Sequence, residues 1–428
     1  MSVNETHDTG SDDRHGESST PTDTVAAHAE PEPTPLEHPA EGVPPVETSA
    51  DDFAHTADAL AHGSGPVALD TERASGFRYS PRAYLVQIRR AGAGIHLIDP
   101  IEHPDALRPL AEALDGPEWV LHAADQDLPS LRELGLHCAS LFDTELGGRL
   151  LNLPKVNLAT MVAHFLGLGL AKGHGAADWS TRPLPDDWLN YAALDVEVLV
   201  ELRDAVAAAL EENGKLDWAR EEFEYVRTKP APPPRQDRWL RTSGIHKIKN
   251  PRQLAIIKSL WETREAMAQR RDIAPGRVLP DSAIIAAAVS DVASPQELTR
   301  LPVFGGSRQR RSAGEWYAAI ARARALPDSQ LPRRRHTGAI PPTSRWESRN
   351  PEAAQRYSRV RPTLVQIAEE VEVPVENLLA PDTVRGLCWR GVEGPLTVEA
   401  VDSELAAAHA RNWQRTLTVE PITDALSD

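Results

Sequence analysis

The chain has 428 residues, enough for two or three domains that each bury a core of their own. Its two cysteines, Cys138 and Cys388, lie far apart and lack neighbouring Cys or His ligands, which excludes a disulfide framework and a zinc finger and fits a reducing cytosol. No apolar run approaches the ~20 residues of a membrane span and the N-terminus lacks a secretory pattern, so the expectation is a cytoplasmic protein with no membrane contact.

The net charge of −17 is unevenly spread. Residues 1–50 carry 11 acids and one arginine, residues 51–227 carry 29 acids against 15 bases, and residues 228–325 carry 18 bases against 8 acids. An acidic block followed by a basic one suits a metal-using site joined to a module that holds a polyanion. Residues 1–50 are rich in Pro, Glu, Asp, Thr and Ser and poor in large apolar side chains, so they read as a disordered acidic tail.

From residue 51 the pattern becomes globular. A helix over 52–62 precedes a strand over 67–73, and strands over 84–89 and 94–99 pair with it as an antiparallel meander. A helix over 104–114, a strand over 119–122, a helix over 125–134, a strand over 140–143 and helices over 144–151 and 158–167 follow. Apolar residues at Trp188, Ala192, Val196, Leu199 and Leu202 then predict one long helix over 185–213. The order implies an α/β domain with a mixed sheet across 51–227.

Three places in this domain carry chemistry. In Val67-Ala-Leu-Asp70-Thr-Glu72-Arg73, strand alternation puts Asp70 and Glu72 on one face, where two repelling carboxylates call for a hard cation. In His122-Ala-Ala-Asp125-Gln-Asp127-Leu128, Asp125 reads as a helix N-cap, Asp127 lies in the first turn, and His122 reads as structural. In Tyr191-Ala-Ala-Leu-Asp195, the i, i+4 spacing projects the phenol and the carboxylate from one helix face.

In this order the three places resemble the DEDD superfamily of 3′–5′ exonucleases, in the branch with a tyrosine in its third motif. Ala68-Leu-Asp-Thr-Glu72, Tyr84-Leu-Val-Gln-Ile88, His122-Ala-Ala-Asp-Gln-Asp-Leu128, Phe142-Asp-Thr144, Asp178-Trp-Ser-Thr-Arg-Pro-Leu184 and Tyr191-Ala-Ala-Leu-Asp-Val196 narrow the resemblance to the RNase D family. It implies an RNase H-like, DnaQ-like mixed sheet flanked by helices. Asp70, Glu72, Asp127 and Asp195 match the family's metal-binding acids, and Tyr191 matches its catalytic tyrosine. Two Mg²⁺ ions, with Mn²⁺ as a substitute, are the expected cofactors. The expected substrate is a structured RNA with a single-stranded 3′ end, such as a tRNA precursor, trimmed to 5′-monophosphates with no obligate protein partner. A DNA exonuclease and a non-catalytic RNA-binding protein are the alternatives. Lys172 and Arg182, flanking the Trp179 motif, are candidate phosphate contacts.

Beyond a Pro-rich, extended linker at 228–244, residues 245–326 read as all-α. Residues 253–271, 272–281 and 298–301 resemble the HRDC domain, a nucleic-acid-binding module. Lys247, Lys249, Arg252, Lys258, Arg264, Arg270 and Arg271 give it a basic footprint. A basic linker at 327–344 contains Arg333-Arg-Arg-His336. Val373-Pro-Val-Glu-Asn-Leu-Leu-Ala-Pro-Asp-Thr383 then echoes Ile273-Ala-Pro-Gly-Arg-Val-Leu-Pro-Asp-Ser282, which predicts a second HRDC-like helical domain at 345–420 and a tail at 421–428.

Overall fold

Val67, Ala68 and Leu69 are all fully buried, so the strand that carries them needs cover on both faces and sits in the middle of its sheet. The computed structural model, which describes residues 32–171, 173–231, 233, 235–333 and 340–427, places it there. In chain order the first half runs β1 (Thr34–Leu36), β2 (Val46–Glu47), α1 (Ala50–His62), β3 (Ser64–Arg73), β4 (Ala83–Ala91), β5 (Gly94–Ile98), α2 (Arg108–Leu114), β6 (Glu118–Leu121), α3 (Leu128–Glu133), β7 (Ser140–Asp143), α4 (Thr144–Leu150), α5 (Leu158–Leu166) and β8 (Leu168–Leu170). Helices α6 (Asp186–Glu197), α7 (Leu199–Glu212) and α8 (Leu216–Thr228) complete the domain. The six-stranded sheet has the order β2-β5-β4-β3-β6-β7, with β3 antiparallel to β4 and parallel to β6.

Several expectations change. The long helix over 185–213 is two helices that part at Val198. The break lets α6 pack along β3, β4 and β5 while α7 turns onto β6, α4 and α5, following the twist of the sheet. Of the acidic tail expected to be disordered, residues 1–31 lie outside the described residues, and 32–50 are folded onto the domain. There β1 pairs parallel with β8, β2 pairs parallel with β5, and Ser49 and Asp52 form a capping box at the start of α1. Such a segment lacks a core of its own and instead borrows backbone partners from the domain it lies against.

The second half is helical throughout the described residues. Helices α9 (Pro251–Arg271), α10 (Pro275–Val278), α11 (Asp281–Val289), α12 (Pro295–Leu298), α13 (Ser307–Arg311) and α14 (Ala313–Ala325) surround a core that includes Leu260, Ile284, Trp316 and Ile320. Part of the Pro-rich linker belongs here, because Trp239 inserts into the same core. Helices α15 (Trp346–Arg349), α16 (Pro351–Glu370), α17 (Val375–Leu378), α18 (Pro381–Arg390), α19 (Val398–Ala407) and α20 (Asn412–Ser427) follow. The internal echo is structural: α9–α10–α11 and α16–α17–α18 are each a long helix, a one-turn helix and a third helix. A left-handed residue follows each long helix, Asp272 at φ 45° directly after α9 and Glu372 at φ 52° two residues after α16. Residues 421–427 are no loose tail, since they lie in α20 with Ile422 buried. Within the basic linker, residues 334–339, which include most of Arg333-Arg-Arg-His336, lie outside the described residues.

Candidate active site

The central position of β3 makes Asp70 and Glu72 part of the rigid sheet, and α6 crosses that face with Tyr191 and Asp195. One carboxylate oxygen each from Asp70, Glu72 and Asp195 lies within 4.8 Å of the others. Tyr191, one turn before Asp195 on α6, lines the same cleft. These groups line a cleft of about 540 Å³ together with Asp127, His122, Glu145 and Arg149.

Asp127 reaches the cleft differently. It occupies the N-cap position of α3 but its side chain caps nothing. Its Oδ1 instead accepts from the Thr71 hydroxyl at 2.7 Å, and the Arg73 guanidinium lies 3.4 Å away. Asp125 is not the N-cap expected of it: α3 starts later, and the Asp125 carboxylate lies 3.6 Å from Lys229 Nζ at the surface. The cause lies in β7. Buried Asp143 accepts from the amides of Ala123, Ala124, Glu145 and Leu146, which pins the loop before α3 and caps α4 at once.

Electrostatics set these carboxylates apart from ordinary ones. Burial, then the charges of Asp127, Asp195 and Glu72, hold the Asp70 carboxyl well above the usual range. Burial, then Asp195 and Asp127, push Glu72 up to about 9. Burial raises Asp195 to about 7 and Asp127 to about 6, the latter against the pull of Thr71 and Arg73. Burial and the neighbouring carboxylates raise the Tyr191 phenol far above its normal value. Without a counter-charge such a group retains protons; a divalent ion removes that frustration. Gln87, directly across the β3–β4 ladder from Asp70, is fully buried with neither amide atom hydrogen-bonded. The donor set, all oxygen, fits a hard cation.

His122 is structural. Its Nδ1 pairs with the Thr144 hydroxyl at 2.9 Å, and burial lowers its pKa to about 4, so it is neutral at physiological pH. Arg182 is not an open phosphate contact. Its guanidinium donates to Asp99 at 2.5 Å and to the carbonyls of Trp179, Thr181 and Tyr84, which braces the segment before α6 against β4. Lys172 lies outside the described residues. In the basic footprint, Arg264 is buried against Asp281 and Arg252 closes onto Arg324 O, Leu326 O and Asp328, so both hold the fold together. Thr71, Arg73, Gln87 and Asp143 were given no role from sequence, although Thr71, Gln87 and Asp143 lie inside the motifs that carry the resemblance and Arg73 follows Glu72.

The sequence profile for a 3′–5′ exonuclease matches residues 46–211, that for an HRDC domain matches 253–320, and that for a 3′ to 5′ exonuclease C-terminal domain matches 339–426. The second helical domain thus has a profile of its own beside the HRDC domain it echoes. Ribonuclease D of Gluconacetobacter diazotrophicus is 34% identical over 275 residues, covering 62% of this chain and 69% of its own. That of Granulibacter bethesdensis is 31% identical over 289 residues, covering 64% and 71%. A protein from Bifidobacterium adolescentis of known crystal structure superposes with a TM-score of 0.82 at 38% identity, covering 93% of this chain and all of that one. Escherichia coli RNase D, an exoribonuclease involved in structured RNA processing, shares the fold with a TM-score of 0.64 at 24% identity, covering 90% of this chain and 98% of its own. The chain belongs to the ribonuclease D family of 3′–5′ exoribonucleases.

Proposed function

We propose that this enzyme hydrolyses the terminal phosphodiester bonds of RNA from the 3′ end, releasing 5′-monophosphates, with Asp70, Glu72, Asp127 and Asp195 holding two Mg²⁺ ions. The observation that carries the reading is the convergence of Asp70, Glu72 and Asp195 within 4.8 Å in a partly buried cluster whose carboxyls are held above their usual range. When bound, the ions supply charge neutralisation at the attacking and leaving oxygens and lower the pKa of a water nucleophile.

The chain's own residues do the rest. Strand β3 fixes Asp70 and Glu72 relative to each other, which a loop could not do as tightly. Thr71 and Arg73 orient Asp127 toward the cleft. Tyr191 keeps its proton at neutral pH and acts as a hydrogen-bond donor that orients the nucleophilic water beside Asp195. Outside the cleft, Lys247, Lys249 and Arg271 are exposed on the HRDC domain and offer the body of an RNA a salt-sensitive hold. A structured RNA with a single-stranded 3′ end, as in a tRNA precursor, is the substrate this division of labour suits, in a cytoplasmic setting and without an obligate protein partner.

The test is digestion of end-labelled RNA and DNA of one sequence across a Mg²⁺ titration. RNA shortens from its 3′ end, DNA more slowly, and Mn²⁺ substitutes. Asp70→Asn or Asp195→Asn lowers turnover by roughly 10³-fold while RNA affinity is retained. Unchanged turnover in both variants, or faster digestion of DNA, overturns the reading.

A further inference from the structure

The linker between the catalytic and HRDC domains carries arginines at 235, 238 and 241. It is not a free tether there. Arg238–Arg241 forms a single 3₁₀ turn whose Trp239 is buried in the HRDC core and accepts, at its carbonyl, from the Thr242 hydroxyl at 2.7 Å. One residue on, the Ser243 amide donates to Asp281 at 2.7 Å. A 3₁₀ turn repeats every three residues, so Arg238 and Arg241 leave it from one side.

Both line a cavity of about 390 Å³, within the ~300–1,000 Å³ typical of ligand sites. The lining brings Arg235, Arg238 and Arg241 of the linker together with Arg264, Glu265 and Asp281 of the HRDC domain, four guanidiniums against two carboxylates. The carboxylates are already engaged. Asp281 accepts from Arg264 at 2.6 Å, and Glu265 accepts from Tyr79 at 3.2 Å with Arg238 3.7 Å away. Arg238 is also held over the Trp261 ring at 5.6 Å. Arg264 is only 6% exposed, yet its Nε, 3.9 Å from the Glu265 carboxylate, makes no hydrogen bond. Arg235 and Arg241 are exposed and have no ionic or hydrogen-bonded partner among the described residues. The cavity therefore holds a surplus of positive charge and of N–H donors, one of them buried and unmet.

We propose that this junction is a binding site for a phosphate group, gripped by Arg235 and Arg241. Chemistry selects the occupant. Each guanidinium is a planar fork of donors that matches phosphate oxygens two at a time, and it stays charged at any physiological pH. A phosphate has more oxygens than a carboxylate to share among separate arginines. The group comes either from the backbone of a bound RNA or from a free nucleotide. The site lies on the seam between domains, since Glu265 on its lining bonds Tyr79 of the catalytic domain. The proposal goes beyond the exonuclease reading and does not depend on it.

The test uses the full chain in EDTA, so that binding is read apart from hydrolysis. One arm measures the affinity of a single-stranded RNA across a salt series; the other titrates adenosine 5′-monophosphate by calorimetry. Arg235→Ala/Arg241→Ala is compared with Arg300→Ala/Arg311→Ala, which removes two exposed arginines outside the cavity. If the phosphate belongs to RNA, the first pair lowers RNA affinity about tenfold and the log–log salt slope by about one to two, while the second pair lowers affinity by less than about threefold. If it belongs to a free nucleotide, RNA affinity holds, and the binding heat of the monophosphate is lost in the first pair alone. Equal losses in the two pairs would mean bulk charge and no built site. That result, or unchanged binding of both ligands in the first pair, overturns the proposal.

Discussion

The HRDC domain meets the exonuclease domain through polar groups on one loop, whereas the C-terminal helical domain shares an apolar core with it. At the first seam Asp272 accepts from the amides of Tyr79 at 3.1 Å and Ser80 at 2.9 Å, and Tyr79 donates to Glu265 at 3.2 Å. Arg277 lies 4.0 Å over the Phe77 ring and donates to Gly76 O. Beside these contacts, the Tyr79 ring packs against the edge of the HRDC core. At the second seam Trp413 is buried, stacks on Trp218 of α8 at 4.9 Å, and donates its indole N–H to Glu222 at 2.9 Å. Lys215 bridges Leu150 O and Glu372 O at 3.0 and 2.9 Å. Two domains built on one helical plan therefore differ in independence. The first keeps a core of its own, touched by the catalytic domain only at Tyr79; the second is part of one core with it.

The largest expected effect breaks the apolar seam. Trp413→Ala removes a buried indole and leaves Glu222 with one donor fewer, at a cost of about 3–5 kcal/mol. Calorimetry should show a Tm loss of roughly 10 °C, independent of salt. A change that salt reverses would mean that the second seam is electrostatic like the first.

An intermediate effect concerns carboxylates. Asp272 and Glu222 face donors, while Asp70, Glu72 and Asp195 face one another. The folded pKa values of Glu72, about 9, and Asp195, about 7, lie above their unfolded values of 4.5 and 3.8. The folded state then binds more protons, so stability in EDTA falls as pH rises from about 4 toward 9. Mg²⁺ should therefore raise Tm more at pH 8.5 than at pH 5.5, by about 5 °C. An equal shift at both pH values would mean that the ions bind elsewhere.

The smallest effect in stability belongs to the polar seam. Asp272→Ala should lower Tm by only about 2–4 °C, since solvent can replace its bonds. Hydrogen exchange at residues 76–82 should nonetheless rise, and more so in high salt. Asp272→Asn, which tolerates the left-handed backbone and keeps an acceptor, should fall between. If exchange in the loop stays at wild-type levels in Asp272→Ala, the HRDC domain is held by something other than this seam. Because the loop leaves β3 just after Glu72 and Arg73, any loosening is read next to the acidic cluster.

The parts of the site legible in sequence are those governed by short-range geometry. Alternation along a strand put Asp70 with Glu72, and the helical repeat put Tyr191 with Asp195. Asp125 was misread because the start of α3 is set by Asp143, which holds the amides of Ala123 and Ala124 from 20 and 19 residues away. Arg182 looked free because its partners Asp99 and Tyr84 lie 83 and 98 residues distant. The folding of residues 32–50 was invisible for the same reason: a polar, Pro-rich segment lacks a core signal, and only the edge it lies against supplies its bonds.

By itself, then, the order of residues determined the fold class, the central acidic strand, the tyrosine helix and the echo between the two helical domains. Each of these is written in a repeat of two, in a repeat of three to four, or in a spaced motif. Only the tertiary structure decided which carboxylates meet, which arginines are committed to the fold, how each helical domain is joined, and that linker arginines line a cavity on the HRDC domain. Those outcomes depend on partners brought together from distant parts of the chain, where desolvation and hydrogen bonding choose among side chains that look alike in sequence.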